Sequence, residues 1–152
     1  CMNSTEYCCI ATVDGELGTW SNPVYFAWDA QMNLYFISQP KSRHMKNIGK
    51  DSRIAVSIFS TAQSTFGDVS GIQLNGRAEV LTDTAAVEKA YAAYYGRKYP
   101  ETGKNANGKY ADAYINNPSW LFVKIVPEDA YYFDTRFFDE ARQRVPAGIV
   151  LR

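Results

Sequence analysis

The sequence has little histidine, few cysteines and no excess of charge of either sign. Its 152 residues include one histidine, and sixteen basic residues balance sixteen acidic ones. A single histidine excludes a metal centre built from several histidines. The zero net charge argues against a general binder of nucleic acids or of anionic membranes, because both kinds of partner attract a basic surface. A local basic pocket remains compatible with this balance.

Long apolar runs are also missing, and the cysteines follow no functional spacing. The longest apolar stretches are far shorter than the roughly 20 residues that a membrane-spanning helix needs, and no charged segment followed by an apolar run marks a signal peptide. The three cysteines, Cys1, Cys8 and Cys9, match no metal or redox motif, and their odd number suits a reducing compartment. We therefore expect a cytoplasmic protein with no membrane partner.

The composition that remains is that of an ordinary globular domain. Hydrophobic residues make up 46% and charged residues 21% of a chain long enough to bury a core. We expect residues 1–152 to form one domain. Apolar runs that are rich in branched and aromatic side chains and bounded by turn residues predict six strands. They lie at residues 7–13, 20–28, 34–37, 53–59, 69–81 and 120–133.

Helices are predicted in three places between and after these strands. The first covers residues 43–50, the second runs from a cap at residue 83 or 84 to about residue 95, where Gly96 stops it, and a short third lies at residues 110–115. Residues 101–109 predict a loop, and the tail from Arg136 predicts an irregular segment. Strands without regular βαβ alternation predict a mainly β fold, an antiparallel barrel with helical additions.

Two common catalytic arrangements have no support in the sequence. A Ser-His-Asp triad would need His44, which lies in a basic turn without an acidic partner or a nucleophile elbow. The paired carboxylates Glu128 and Asp129 are turn residues and need no catalytic role. Any chemistry must therefore come from a bound cofactor.

The most informative stretch is the turn after the third predicted strand. Lys41, Ser42, Arg43 and His44 crowd the start of the first predicted helix, with Ser42 at its N-cap. A helix N-terminus exposes backbone N–H groups and the positive end of its dipole, so a phosphate would be well held there. The residues alone leave two interpretations open: a phosphate site, or a solvated basic turn before an ordinary surface helix.

This turn resembles a family pattern. Ser38 followed by Ser42-Arg43-His44 is similar to the strand-end Thr or Ser, followed four residues later by Ser-Arg-Lys, of the FMN-binding split-barrel proteins of the pyridoxamine 5′-phosphate oxidase type. Flanking segments show the same order of features at residues 10–15, 20–26, 53–59 and 71–78. The resemblance covers roughly residues 8–83 and implies a six-stranded antiparallel split barrel of the FMN-binding type.

The resemblance also implies a cofactor and an oligomeric state. Members of this family bind two FMN molecules across the interface of a twofold dimer. A homodimer with FMN at its interface is therefore expected. On this pattern the phosphate is implied to be held by Ser38, Lys41, Ser42, Arg43 and His44.

The flavin ring is implied to lie along the second predicted strand. Ser21, Asn22, Pro23 and Val24 match positions whose main-chain groups meet the pyrimidine edge, and Gln73 is implied to contact the flavin, from across the interface. Pro23 also carries a signal of its own. Because proline cannot donate to a strand ladder, this part of the strand must lie at an edge or at a bulge.

The sequence departs from the family pattern in ways that bear on function. His44 replaces the family's Lys, which lowers the charge of the phosphate site near neutral pH. Gly71 stands where the oxidases proper place a Gln, and Gln73 stands at their Arg. The arginines for a substrate phosphate and the C-terminal Arg-His signature are absent. Oxidation of pyridoxamine phosphate itself is therefore not expected.

The expected function is that of a small flavin-dependent oxidoreductase acting on an unknown small molecule. Two alternatives remain open. One is a non-catalytic dimeric module that binds or senses flavin or haem, for which a single histidine gives little support. The other is a family member that has lost its cofactor and works by interaction only, against which the intact basic turn argues.

Overall fold

The computed structural model describes residues 2–15, 18–61, 67–100, 111–115, 119–138 and 141–146. Within these residues, one antiparallel sheet contains six strands of five residues or more and two of two residues. The strands are β1 Tyr7–Asp14, β2 Gly18–Tyr25, β3 Ala27–Trp28, β4 Leu34–Ser38, β5 Arg53–Phe59, β6 Ser70–Val80, β7 Leu121–Asp134 and β8 Gln143–Arg144. The helices are α1 Arg43–Lys50, α2 Thr84–Lys98 and α3 Thr135–Phe138, with 3-10 turns at Met2–Ser4 and Ala111–Tyr114.

The order of the strands closes the sheet into a barrel-like shape. The order is β2-β1-β5-β6-β7-β4-β3, and β8 pairs with β7 beside this path. The two end strands, β2 and β3, are separated in the chain only by Phe26. Because neighbouring residues cannot lie at opposite ends of a flat sheet, the sheet curls until its ends meet. The mainly β fold predicted from the sequence is confirmed.

Each face of the sheet packs against a helix. The inner face carries the larger core, which includes Ile10, Phe36, Val56, Leu74 and Ile125, and α1 closes it with Met45 and Ile48. The other core lies between α2 and the part of the sheet around β4 and β7. It contains the tyrosines of α2 together with Tyr35, Tyr114 and Phe122. The tyrosine stripe of α2 therefore serves packing.

The end of α2 differs from its prediction. The helix passes through Gly96 and ends at Lys98. Arg97 explains the extension, because its guanidinium donates to the backbone carbonyls of Phe26, Met2 and Thr5. These tertiary contacts outweigh the weak helix propensity of one glycine.

At the C-terminal side one prediction is confirmed and one is corrected. The last predicted strand continues through Pro127, as expected, and the register between β6 and β7 shifts between Asn75 and Gly76 to accommodate it. Such a bulge tolerates a residue that cannot donate. The tail from Arg136 is not irregular throughout, since it contains most of α3 and the whole of β8. The predicted loop at residues 101–109 lies outside the described residues.

The described part of the chain offers no membrane span and no metal cluster. None of its helices is long and apolar enough to cross a bilayer. No group of three or more His, Cys, Asp or Glu side chains in these residues is arranged to hold a metal ion.

Candidate functional site

The predicted basic turn lies between the end of β4 and the start of α1. Ser42 occupies the N-cap position with extended backbone (φ −65°, ψ 153°), as predicted, but its side chain does not cap the helix. Its hydroxyl oxygen lies instead 3.2 Å from the hydroxyl oxygen of Ser38 and 3.2 Å from Nε2 of His44. The first backbone N–H groups of α1 therefore receive no side-chain acceptor from Ser42.

His44 is the buried centre of this cluster. Its Nε2 lies 2.6 Å from Oγ of Ser38, and its ring packs 6.1 Å from the ring of Phe36. Burial lowers the pKa of His44, so the imidazole is neutral at pH 7. A neutral ring nitrogen either accepts from one hydroxyl or donates to one, depending on the tautomer. The two hydroxyls also lie within hydrogen-bond distance of each other, so one can donate to the ring nitrogen while the other donates to the first hydroxyl.

Arg43 joins α1 to the first two strands. Its Nε donates to Oδ2 of Asp14 at 2.9 Å, and its guanidinium lies 4.2 Å from the centre of the Trp20 ring. These contacts hold the cation at the start of β2, where it remains about one-third exposed. Asp14 offsets part of its charge. Lys41, at the same turn, is exposed.

β2 is an edge strand, as Pro23 predicts. Among the described residues it pairs only with β1, so the other side of its backbone has no strand partner. Asn22 lies opposite the buried Ile10 and Val24 opposite Cys8, so both face the core, whereas Ser21 and Pro23 alternate to the outer face and are exposed.

One buried polar atom beside this edge has no partner among the described residues. The Asn22 side chain donates through Nδ2 to the carbonyl of Pro23 at 3.3 Å, but its buried Oδ1 accepts no hydrogen bond from this part of the chain. Leaving such an acceptor unpaired costs about 1–3 kcal/mol. An N–H donor from a ligand along the edge of β2 would remove this cost.

Gln73 lies away from the turn, on the outer face of β6. Pro23, Cys9, Ser57 and Gln73 stand directly opposite one another on β2, β1, β5 and β6. Three strand spacings separate Pro23 from Gln73, which is about 14 Å along the sheet. Its Oε1 accepts from Nε of Arg142 at 2.7 Å. The structure therefore gathers the basic turn and β2 but leaves Gln73 apart.

Three side chains at these places were not predicted as site residues. Asp14 and Trp20 fix Arg43, and Arg142 reaches Gln73 from the position just before β8. Asp14 is 29 residues from Arg43 and Arg142 is 69 residues from Gln73, so only the sheet topology brings these pairs together. No local pattern in the sequence signals either contact.

Comparison with known proteins decides the family. The family described as "Pyridoxamine 5'-phosphate oxidase" matches residues 1–133. The chain belongs to this family. Its sheet and helices are those of the split barrel found in members of the pyridoxamine 5′-phosphate oxidase family. No curated protein sequence matches the chain significantly.

Solved structures agree on the fold. A conserved hypothetical protein from Mycobacterium tuberculosis is 20% identical, with a TM-score of 0.70 over 89% of this chain and 81% of that one. A putative pyridoxamine 5′-phosphate oxidase from Listeria innocua is 18% identical, with a TM-score of 0.58 over 84% and 88%. A haem-binding protein from Mycobacterium smegmatis is 17% identical, with a TM-score of 0.71 over 97% of this chain and 55% of that one. At these identities the likeness establishes the fold alone.

Proposed function

We propose that this member of the pyridoxamine 5′-phosphate oxidase family binds FMN between the N-terminus of α1 and the edge of β2, and acts as a small flavin-dependent oxidoreductase. The observation that carries the proposal is the uncapped start of α1, where the Ser38 and Ser42 hydroxyls lie beside the Arg43 guanidinium. This set of donors suits a phosphate monoester.

The phosphate end follows from the chemistry of these donors. Backbone N–H groups at the start of α1 and the hydroxyls of Ser38 and Ser42 donate to phosphate oxygens, while Arg43 supplies charge next to them. Lys41 lies on the exposed side of the same turn. His44 is neutral and contributes by orienting the two hydroxyls. The site is therefore built more from hydrogen bonds than from charge.

The ring end fits the unpaired acceptor beside β2. The pyrimidine edge of a flavin carries an imide N–H between two carbonyls, and Oδ1 of Asn22 lacks such a donor. The backbone of Ser21, Pro23 and Val24 belongs to a strand that, among the described residues, has no strand partner on one side. Backbone N–H groups on that side are free to donate to the flavin carbonyls, although Pro23 has no N–H of its own. The residues present therefore fit FMN, which when bound supplies hydride and electron transfer.

We further propose a twofold homodimer in which the outer faces of the sheets approach each other. Gln73 lies on that face, too far from Pro23 to share a small group within one protomer, and would contact the flavin held by the partner. Phe59 and Tyr131, on the same face, are 44% and 37% exposed.

A cytoplasmic location is proposed as well. Cys8 and Cys9 are unpaired thiols, which suits the reducing environment of the cytoplasm.

A binding or sensing module is the second candidate, because a haem-binding protein shares the fold. Haem ligation would have to use His44, whose Nε2 is buried against Ser38. Spectroscopy separates the candidates. A catalytic flavoprotein bleaches near 450 nm on addition of NADH or NADPH and recovers in air, whereas a sensor bleaches only with dithionite, and a haem protein shows a Soret band instead.

The phosphate end is tested by Arg43→Ala, with Lys50→Ala as the control. Lys50 is an exposed cation in the last turn of the same helix. We expect Arg43→Ala to weaken FMN binding about 10- to 100-fold, because a charge-assisted hydrogen bond contributes about 1.5–3 kcal/mol. Lys50→Ala leaves the affinity unchanged. Quenching of FMN fluorescence during titration measures both, and equal FMN affinity in the Arg43→Ala and wild-type proteins would refute the phosphate site.

A further inference from the structure

Arg142 differs from the other arginines of the described residues. Five of these arginines lie within 4 Å of a carboxylate: Arg43, Arg53, Arg77, Arg136 and Arg144. Arg97 is bound by three backbone carbonyls. Arg142 is exposed, and within the same residues it has an amide oxygen of Gln73 as its acceptor and no carboxylate. Its positive charge is therefore not neutralised by this part of the chain.

The contact with Gln73 fixes which edge of the guanidinium remains open. Nε of Arg142 donates to Oε1 of Gln73 at 2.7 Å, and the guanidinium lies 5.8 Å from the centre of the Phe133 ring. The edge formed by the two terminal nitrogens is left to receive a planar anion in a two-point contact. Gln73, whose oxygen is used, keeps its amide N–H₂ as a neighbouring donor.

Aromatic side chains surround this pair, and one of them covers a glycine of β6. Phe59, Gly71 and Phe133 stand opposite one another on β5, β6 and β7, and Tyr131 stands opposite Gln73. The missing side chain of Gly71 is filled by the Phe133 ring, because a Cβ there would lie 2.6 Å from its Cζ. The Phe133 ring therefore lies over β6 beside the guanidinium, and the exposed Phe59 stands opposite Gly71 on the neighbouring strand.

We propose that Arg142, Gln73 and the aromatic rings beside them form a binding site for the carboxylate of an aromatic acid. The terminal nitrogens of Arg142 bind the two carboxylate oxygens, the amide of Gln73 donates to one of them, and the ligand ring packs against Phe133 or Tyr131. The inference rests on the proposed flavin function only in that this acid would then be the substrate of the enzyme. Binding itself requires no flavin.

The test uses benzoate as the probe and benzamide as its neutral counterpart. Backbone and side-chain amide signals of the ¹⁵N-labelled, FMN-treated protein are followed during titration with each compound. We expect benzoate to shift the Gln73 side-chain signals saturably and benzamide to shift them little. Arg142→Gln should weaken benzoate binding at least about tenfold. Arg144→Gln is the matched control, since Arg144 lies on β8 with its charge paired to Asp129, and it should bind benzoate as the wild type does.

Three outcomes would overturn the inference: no saturable benzoate binding by the wild type, equal binding by Arg142→Gln, or equal binding of benzamide. FMN affinity of the same variant distinguishes this site from the cofactor site. Arg142→Gln leaves the phosphate site at Ser38, Ser42 and Arg43 intact, so it should weaken benzoate binding far more than FMN binding, and an equal loss of FMN affinity would assign Arg142 to the cofactor instead. Benzoate binding in a protein that binds no FMN would refute the proposed function and leave the acid site standing.

Discussion

At the scale of single residues, His44 sets the character of the basic turn. A Lys at this position would place a third cation beside Lys41 and Arg43. The imidazole is instead buried, neutral and hydrogen-bonded to hydroxyls. A buried neutral base is a constraint on stability as well as on ligand binding, because protonation inside the fold is disfavoured.

Acidification should therefore destabilise the protein through His44. Its pKa is lowered in the folded state by burial, so the unfolded state binds more protons once the pH falls through the ordinary histidine pKa of 6.5. The stability that the neutral ring provides is complete above pH 6.5 and declines below it. His44→Gln, which keeps polar groups near Ser38, should flatten this decline between pH 7 and pH 5. The urea concentration at the midpoint of unfolding, recorded at each pH, measures this decline. Parallel pH profiles for the wild type and His44→Gln would contradict the role assigned to His44.

The sequence predicts that the residues of the basic turn lie together, but it does not predict which side chains they contact. Ser42, Arg43 and His44 are consecutive, so a strand followed by a helix start places them together on local grounds alone. The pairing of Arg43 with Asp14 depends on the β1–β2 hairpin folding back over α1. The sequence also cannot show that His44 contributes hydrogen bonds to hydroxyls in place of a charge, because this depends on the burial of His44 in the fold.

At the scale of elements, Arg97 joins α2 to the start of the chain and to β3. Its guanidinium donates to carbonyls of Met2, Thr5 and Phe26 and lies 4.5 Å from the centre of the Trp28 ring. The three carbonyls belong to separate positions in the chain, so one side chain joins them to α2. This explains why α2 continues past Gly96 when the sequence predicts its end.

Replacing Arg97 should destabilise the protein more than a substitution at an ordinary surface position does. Arg97→Ala leaves carbonyls without a charged donor and removes the ring contacts, for an expected loss of about 2–4 kcal/mol in the free energy of unfolding. The stability of Arg97→Lys should lie between those of the wild type and Arg97→Ala, since one ammonium group cannot make all the hydrogen bonds of a guanidinium. Glu88→Ala, at an exposed position of the same helix, is the control. Denaturant unfolding measures the stability of all three variants. An Arg97→Ala protein as stable as the control would show that the contacts of Arg97 do not stabilise α2.

Element boundaries were predictable where local signals act alone. The existence of the six main strands and the cap of α2 at Asp83, whose side chain accepts from the Ala86 N–H at 2.9 Å, follow from period and composition. The second predicted strand, residues 20–28, is instead divided at Phe26 into β2 and β3. The last strand was predicted to continue past Pro127, but the bulge at Gly76 in the facing strand was not, because it depends on the pairing of distant strands. The strand β8 was missed because two exposed residues carry no period.

At the scale of the whole molecule, the strand order decides which predicted site residues can meet. Six antiparallel strands can be arranged in many orders, and the sequence pattern does not choose among them. The resemblance to the family predicted the split-barrel fold, which is confirmed, but not the strand order, which only the structure gives. The separation of Pro23 from Gln73 by three strand spacings follows from that order, and it is the reason for proposing that Gln73 serves the partner's flavin.

The most direct test of the proposed function is a comparison of FMN with riboflavin, which has the same ring but lacks the phosphate. Absorbance spectra of the purified protein are recorded during titration with each. The phosphate site at Ser38, Ser42 and Arg43 predicts saturable FMN binding and riboflavin binding weaker by at least about tenfold. Equal binding of the two would contradict the phosphate site, and no binding of either would contradict the flavin function altogether.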